Sequence, residues 1–295
     1  LLNNDDGKTN KPPFPNNNHH PQQQQQSQQR PVALIGAGLS EVSQTLSFLL
    51  GNLPLISPIS TAADLQESPY FSRTVPSNSG DAKAMALYLW ELGVTHVGIL
   101  YVHDLHGRNY QRDLAWELDQ RGILQKSVSV TSPSAAAPTH DANKLAIQQL
   151  HMSHYRYFVG IFNPISWKPI VRLAYSYGIM GHEGYTWFLT EGSVEFTSST
   201  FHLNRKTESD LAQALHGTGL LSVDLPAHEP FQQALANFGR NQELQDQFWA
   251  LHHDIESKQR NGFEFFQEED QVPSIYHYFA FDAAIALGIA ACETS

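Results

Sequence analysis

The chain has 295 residues and an acidic balance, with 29 Asp and Glu against 18 Lys and Arg and a formal net charge of −11. Because a nucleic-acid backbone is bound by a basic face that neutralises its phosphates, we expect no nucleic-acid partner. The single cysteine, Cys292, excludes an internal disulfide and any zinc site built on several cysteines. Hydrophobic residues make up 41% of the chain, enough for a sizeable core in one large domain or two lobes.

The first 31 residues differ in composition from the rest. The stretch KPPFPNNNHHPQQQQQSQQRP is rich in Asn, Gln and Pro and has almost no apolar side chains. Such a segment buries too little surface to offset the entropy of ordering it. We therefore predict that residues 1–31 are a disordered low-complexity segment.

From Val32 onward, short apolar runs alternate with segments of helical spacing. The predicted strands are Val32–Ile35, Leu53–Ile56, Tyr70–Val75, His96–Tyr101, Leu124–Val130, Tyr157–Phe162, Thr186–Thr190 and Leu220–Val223. The predicted helices are Ser40–Leu50, Ser79–Leu92, Arg108–Arg121, Asp141–Ser153, Ile165–Tyr177, a long segment from Phe231 to about Asp254, and Tyr276–Cys292. Alternation of this kind predicts βαβ units and parallel sheets.

A glycine loop follows the first predicted strand, with the sequence GAGLSE beginning at Gly36. A dinucleotide-binding loop needs a third glycine at position 41, which is Glu41, and its carboxylate would repel a pyrophosphate. The remaining prediction is a helix N-terminus with Ser40 as its N-cap, a setting that suits one small carboxylate. The alternative is that Ser40 only caps its own helix.

Several longer motifs carry a resemblance to a known family. They are PLISPISTAADL at Pro54, YFSRTVPS at Tyr70, DLHGRNYQRDL at Asp104, YTWFLTEG at Tyr185 and YHYFAFDAAIALGIA at Tyr276. In this order they closely resemble the receptor family ligand-binding region, which has the bilobed type I periplasmic-binding-protein fold. The resemblance implies two three-layer α/β lobes with mainly parallel sheets, incomplete at both ends. Lobe one would comprise residues 32–95 and 214–295, and lobe two residues 96–213, with a crossing in the polar stretch after Gly192.

The resemblance also implies a ligand site that begins in lobe one. In amino-acid-binding members, the serine at the start of the glycine-loop helix holds the ligand carboxylate, and this position is Ser40. Hydroxyls of the following ST turn correspond to Ser60 and Thr61. Both loops follow the carboxyl ends of parallel strands, where open α/β sheets bind ligands. The alternative for Ser60 and Thr61 is that each hydroxyl bonds its own turn.

Three further positions complete the implied site. Asn78 stands where glutamate receptors have an acidic residue for the ligand amino group, so the charge is missing there. His106 matches the aromatic residue that covers the ligand, and Glu191 matches an acidic residue of lobe two. The alternatives are a surface histidine and a solvated carboxylate.

These features predict a binding protein rather than an enzyme. The chain has no G-x-S-x-G motif, and Cys292 has apolar helical neighbours that predict a core position. The resemblance implies the extracellular ligand-binding domain of a membrane receptor that closes around an amino acid or a γ-aminobutyrate-like molecule. We expect no cofactor or metal, and a dimer through lobe one. The alternatives are a soluble solute-binding protein for a transporter and the ectodomain of a receptor guanylate cyclase.

Overall fold

The computed structural model describes residues 33–131, 140–163, 166–190, 209–222, 228–243, 246 and 275–293, all within one unit that begins at Val32. The strands are β1 (Leu34–Ile35), β2 (Leu55–Ser57), β3 (Phe71–Arg73), β4 (His96–Val102), β5 (Leu124–Val130), β6 (Tyr157–Ile161), β7 (Thr186–Thr190) and β8 (Gly219–Leu221). The helices are α1 (Ser40–Leu49), α2 (Asn78–Glu91), α3 (Leu105–Gln120), α4 (His140–His151), α5 (Trp167–Ser176), α6 (Ser209–Ala214), α7 (Glu229–Arg240) and α8 (Ile275–Glu293). The predicted disorder of residues 1–31 and the predicted crossing after Gly192 lie outside the described residues.

The strands form two separate parallel sheets. The first has the order β1-β2-β3 and the second the order β5-β4-β6-β7-β8. The predicted strands beginning at Val32 and His96 therefore lie in different sheets, as a bilobed fold requires. Mixed α/β architecture with parallel sheets is confirmed.

The second sheet is covered on both faces. Along β4, Leu100 and Val102 face the core formed with α4, α5 and α6, while Val97 and Ile99 face the core formed with α2 and α3. Successive side chains of a strand point to opposite faces, so a strand buried on both sides is a nearly continuous apolar run. That is why the apolar runs in this region mark the strands well.

The first sheet is smaller. Its strands have two or three residues, and the buried apolar cluster beside it consists of Leu55, Ala62, Leu65, Phe71 and Leu105. A 3₁₀ helix at Ala63–Glu67 follows the loop after β2. Helix α8 is fastened to this region, because Thr74 Oγ1 donates to the Phe279 carbonyl at 2.7 Å.

Two elements differ from the predicted division into residues 32–95, 96–213 and 214–295. The apolar face of α2, predicted in lobe one, packs on the second sheet through Ala82, Met85, Ala86 and Leu89. This is the expected place for a helix that leads into a strand of that sheet. Strand β8, predicted in lobe one, pairs with β7 at the edge of the second sheet.

Two smaller predictions also change. Cys292, predicted to lie in the core, is exposed on α8. Helix α6, which is not among the predicted helices, buries Leu211 and Ala214 against the second sheet. Its six residues are too few for a clear helical period in the sequence.

Candidate ligand-binding site

Three loops at the carboxyl ends of strands meet where the two sheets approach each other. They are the glycine loop after β1, the segment 58–62 after β2, and residues 103–104 between β4 and α3. Parallel strands direct their carboxyl ends to one edge, which is where open α/β sheets bind ligands. The predicted residues Ser40, Ser60, Thr61 and His106 all lie in or beside these loops.

Buried serines hold the glycine loop to the β2 loop. Ser57 Oγ and Ser60 Oγ each donate to the Ala37 carbonyl at 3.0 Å, and the hydroxyls of Ser43 and Ser60 lie 2.8 Å apart. Ser57 Oγ also accepts from the backbone N–H of Ser60 at 2.9 Å. The hydrogen of Ser60 is therefore used inside the protein, and its side chain is 1% exposed. These contacts indicate that Ser60 shapes the loop after β2.

Ser40 does not cap its helix. The N-cap is Leu39, and Ser40 is the first residue of α1. Its Oγ accepts the backbone N–H of Ala62 at 3.2 Å, so it joins the glycine loop to the β2 loop. A hydroxyl oxygen that accepts from one side still carries its own hydrogen for donation elsewhere.

Thr61 and His106 connect the two sheets. Thr61 Oγ1 lies 2.9 Å from His106 Nδ1, and His106 belongs to the first turn of α3. Asn78 supports the histidine from the other side, since its amide Nδ2 donates to the His106 carbonyl at 3.1 Å. The backbone N–H of Asn78 in turn donates to the Thr61 carbonyl at 3.0 Å. Thr61, Asn78 and His106 thus form one contiguous group.

The start of α3 is fixed from two directions. Asp104 is its N-cap and accepts the Gly107 N–H at 2.6 Å, while its second oxygen accepts from Asn163 at 2.9 Å. Gly107 has no room for a side chain, because a Cβ there would overlap the Val102 carbonyl. From the first-sheet side, Glu41 Oε1 accepts the Leu105 N–H at 3.0 Å. A carboxylate at a helix N-terminus is favoured by the helix dipole.

A second bridge lies one turn further along α3. The backbone N–H of Asp64 donates to Asn109 Oδ1 at 3.1 Å, and Asn109 Nδ2 donates to Asp64 Oδ2 at 3.1 Å. Arg112 pairs with Asp64 at 3.0 Å on the exposed side. Sequence reasoning missed the roles of Glu41, Asp64 and Asn109. The only signal was that Asp64 and Asn109 lie inside the motifs that carry the family resemblance.

Burial sets the electrostatics of the site. It lowers the pKa of His106, and the nearby Asp104 carboxylate offsets part of that effect. The residue as a whole is half-buried, but its Nε2 is enclosed. Burial also lowers the pKa of Arg73, whose Nη1 donates to the carbonyls of Ser60 and Ala62 at 3.4 and 3.0 Å. Arg73 therefore fixes the loop that presents Thr61.

Glu191, the remaining predicted residue, lies outside the described residues, directly after the end of β7 at Thr190. Within the ranges that the structure describes, no three His, Cys, Asp or Glu side chains come together as a metal site. In the same part of the chain, none of the helices has both the length and the apolar character needed to cross a bilayer.

Two parallel α/β sheets whose strand ends face each other across polar loops define a class, the bilobed binding proteins. The sequence profile of the receptor family ligand-binding region matches residues 16–295. The chain belongs to this family. The match begins ahead of residue 32, where the resemblance places the start of lobe one.

Individual relatives agree with this assignment. Metabotropic glutamate receptor-like protein E of Dictyostelium discoideum is 25% identical over 213 residues, which are 69% of this chain and 25% of the relative. Glutamate receptor 3.4 of Arabidopsis thaliana is 29% identical over 191 residues, 62% of this chain and 19% of the relative. The human G-protein coupled receptor family C group 6 member A is 39% identical over 82 residues, 26% of this chain and 9% of the relative. The chain thus spans about a quarter or less of the length of these proteins.

Proposed function

We propose that the chain is the extracellular ligand-binding region of a membrane receptor, which binds a small amino-acid-like molecule between its two sheets and signals by closure of the cleft. Family membership supports a ligand-binding role. The names of the relatives support a receptor over a soluble transport protein, and two of them contain the word glutamate. The proposed role is binding, without an enzymatic step.

The observation that carries the proposal is the contact between Thr61 Oγ1 and His106 Nδ1 at 2.9 Å. It joins a loop of the first sheet to a helix of the second at the carboxyl ends of both sets of strands. A ligand placed there touches both regions, so its contacts differ between open and closed arrangements. Only such a difference in contacts lets a ligand shift a conformational equilibrium.

The side chains at this point suit a ligand with a carboxylate. Ser40 and Thr61 offer hydroxyl donors, and the N-terminus of α1 adds a favourable dipole for an anion. The cationic end of the ligand would face Glu191, with His106 covering it. Because Asn78 brings no charge, we expect α-amino acids to bind more weakly than a ligand such as γ-aminobutyrate, whose amine is far from its carboxylate.

The test is calorimetry of the chain with amino acids, amines, sugars and nucleotides. We expect a carboxylate-bearing amine to bind, and Ser40→Ala to weaken that binding by about 1–3 kcal/mol, since a charged acceptor loses a donor. Ser47→Ala, on the same helix but bonded only to the Gln44 carbonyl, is the matched control. Binding confined to sugars or nucleotides, or unchanged by Ser40→Ala, would contradict the proposed site.

A dimer through the first-sheet region is part of the same proposal. Helix α1 exposes Val42, Phe48 and Leu49 on its outer side, and the last two are 79% and 77% exposed. Exposed apolar side chains that lie together are typical of protein interfaces. Sedimentation analysis should show a dimer that Phe48→Glu dissociates; a chain that is monomeric throughout would refute this part alone.

A further inference from the structure

Three polar side-chain atoms near the start of α2 and α3 are buried and have no hydrogen-bond partner among the described residues. They are Asn78 Oδ1, His106 Nε2 and the hydroxyl of Tyr110. Asn78 is 0% exposed and Tyr110 is 1% exposed. A buried polar group without a partner is costly, and native proteins usually satisfy such groups with an ordered water that makes about three bonds.

The side chains that carry these atoms are neighbours. His106 and Tyr110 are one turn apart on α3, with ring centroids 6.2 Å apart. Asn78 Nδ2 donates to the His106 carbonyl, which fixes the orientation of the amide and turns Oδ1 away from that carbonyl. Tyr110 packs in the same buried cluster as Ala82 and Met85 of α2. Burial, with a smaller effect of the Asp81 carboxylate, raises the pKa of its hydroxyl. All three residues therefore lie where α2 and α3 begin to pack.

We propose that Asn78 and Tyr110 are positioning residues that hold His106 in the tautomer with its hydrogen on Nδ1, through one ordered water shared by the three side chains. In that tautomer the imidazole donates to Thr61 Oγ1, and the Thr61 hydroxyl hydrogen is directed to the ligand. The inference rests on the proposed function, in which Thr61 meets a carboxylate. It adds the reason why Thr61 is a donor there, and it gives Tyr110 a role in ligand specificity.

The hydrogen atoms can be counted. Tyr110 donates its hydroxyl hydrogen to the water, and the water donates its two hydrogens to Asn78 Oδ1 and His106 Nε2. A neutral imidazole whose Nε2 accepts must carry its hydrogen on Nδ1. In the opposite tautomer Nδ1 would accept a hydrogen bond from the Thr61 hydroxyl, and Thr61 would then present only lone pairs to an anionic ligand. Asp104, the titratable neighbour that favours the charged imidazolium, does not outweigh burial.

The tautomer is measured without any ligand, by nitrogen-15 NMR of the imidazole side chains in the 295-residue chain. His106→Gln identifies the His106 signals by their loss. We expect Nδ1 to show the shift of a protonated nitrogen and Nε2 that of an unprotonated one. Tyr110→Phe should move the equilibrium toward the Nε2–H form. Tyr88→Phe, which alters an exposed ring of α2, should leave it unchanged.

A His106 that carries its hydrogen on Nε2 in the unaltered chain would overturn the inference, as would a tautomer that Tyr110→Phe does not move. The second measurement uses γ-aminobutyrate and its uncharged carboxamide as probes. We expect Tyr110→Phe to weaken the carboxylate probe roughly 2- to 10-fold, the usual worth of one hydrogen bond, and the carboxamide less. Absence of carboxylate binding alongside the expected tautomer would refute the proposed function and leave the tautomer assignment standing.

Discussion

The two sheet regions are stabilised in different ways. The second-sheet region has strands of up to seven residues and two apolar cores, one on each face. The first-sheet region has strands of two or three residues and one small cluster, and its loops are held by hydroxyl and carboxylate hydrogen bonds. The candidate site thus joins a well-packed scaffold to a set of loops whose shape depends on individual polar contacts. Substitutions in the two regions should therefore differ in size and in what they change.

The largest effect is expected in the second-sheet core. Trp187 is 1% exposed, stacks on Phe158 with centroids 4.8 Å apart, and donates through its indole N–H to the Ile179 carbonyl. Trp187→Ala should lower the free energy of unfolding by about 3–5 kcal/mol, which urea denaturation measures. Trp90→Ala, at an exposed position of α2, is the control and should change it little. Equal effects of the two would contradict the contrast between core and surface in this region.

A smaller loss is expected from the polar contacts of the first-sheet region. Ser57 is 0% exposed and its hydroxyl donates to Ala37 while accepting from Ser60 and Ile59. Ser57→Ala should cost about 1–3 kcal/mol of stability, because buried partners lose their hydrogen bonds. It should also weaken ligand binding, because the loop after β2 is displaced. Trp187→Ala should leave the ligand affinity of the molecules that remain folded unchanged. Ser47→Ala again serves as control, and a Ser57 variant as stable as that control would show that the hydroxyl cluster is not what holds the loop.

The contact between the regions should respond more weakly still. Glu41→Gln keeps an oxygen that can accept from Leu105 N–H but removes the charge that strengthens the bond at the α3 N-terminus. Because Glu41 is exposed, we expect the contact between the two regions to be weakened by about 0.3–1 kcal/mol. Small-angle scattering should then show a larger fraction of open molecules. Glu67→Gln is the matched change on the 3₁₀ helix and should leave the scattering profile as it was.

The smallest effect concerns pH. Burial lowers the pKa of His106 from its usual 6.5, so on acidification the unfolded chain takes up a proton at this residue before the folded chain does. Its contribution to stability is therefore complete above pH 6.5 and is lost as the pH falls through the folded pKa. The loss is limited because Asp104 favours the charged form. The free energy of unfolding, measured at about pH 7.5 and about pH 5.5, should fall less on acidification in His106→Gln than in the unaltered chain. An equal or larger fall in the variant would exclude a neutral buried imidazole.

Sequence alone predicted the second-sheet region far better than the site. The bounds of β5 and β7 match the predicted Leu124–Val130 and Thr186–Thr190. For β7 the reason is its nearly continuous apolar run, which indicates burial on both faces. The assignment of α2 and β8 to the second sheet was not predicted. The sheet on which an element packs depends on long-range pairing rather than on local periodicity. Thr61, Asn78 and His106 were predicted through the family resemblance, and the structure places them together.

Other roles at the site could not be read from the sequence. Whether Ser60 faces a ligand or the Ala37 carbonyl depends on how two loops meet, and Glu41 reaches a helix that begins 64 positions further along the chain. Tyr110 had no signal beyond its place in the motif that begins at Asp104, since a tyrosine with helical spacing is ordinary core until its hydroxyl is located. Geometry between distant segments decides these roles, whereas local pattern decides the strands.

The length and anchoring of helix α3 determine how the candidate site is connected to the second sheet. It is 16 residues long, a rod of about 24 Å, with its first turn at the cleft and Leu114 and Leu118 anchored in the second-sheet core. The first turn of α3, which carries His106, is therefore rigidly joined to the second-sheet core. Thr74 is tied to α8 and Asn78 to the Thr61 carbonyl, so residues 75–77 connect β3 to α2 between two fixed points. Because Pro76 has a fixed φ and Val75 is buried, this short link is stiff and holds the start of α2 at a set distance from the first sheet.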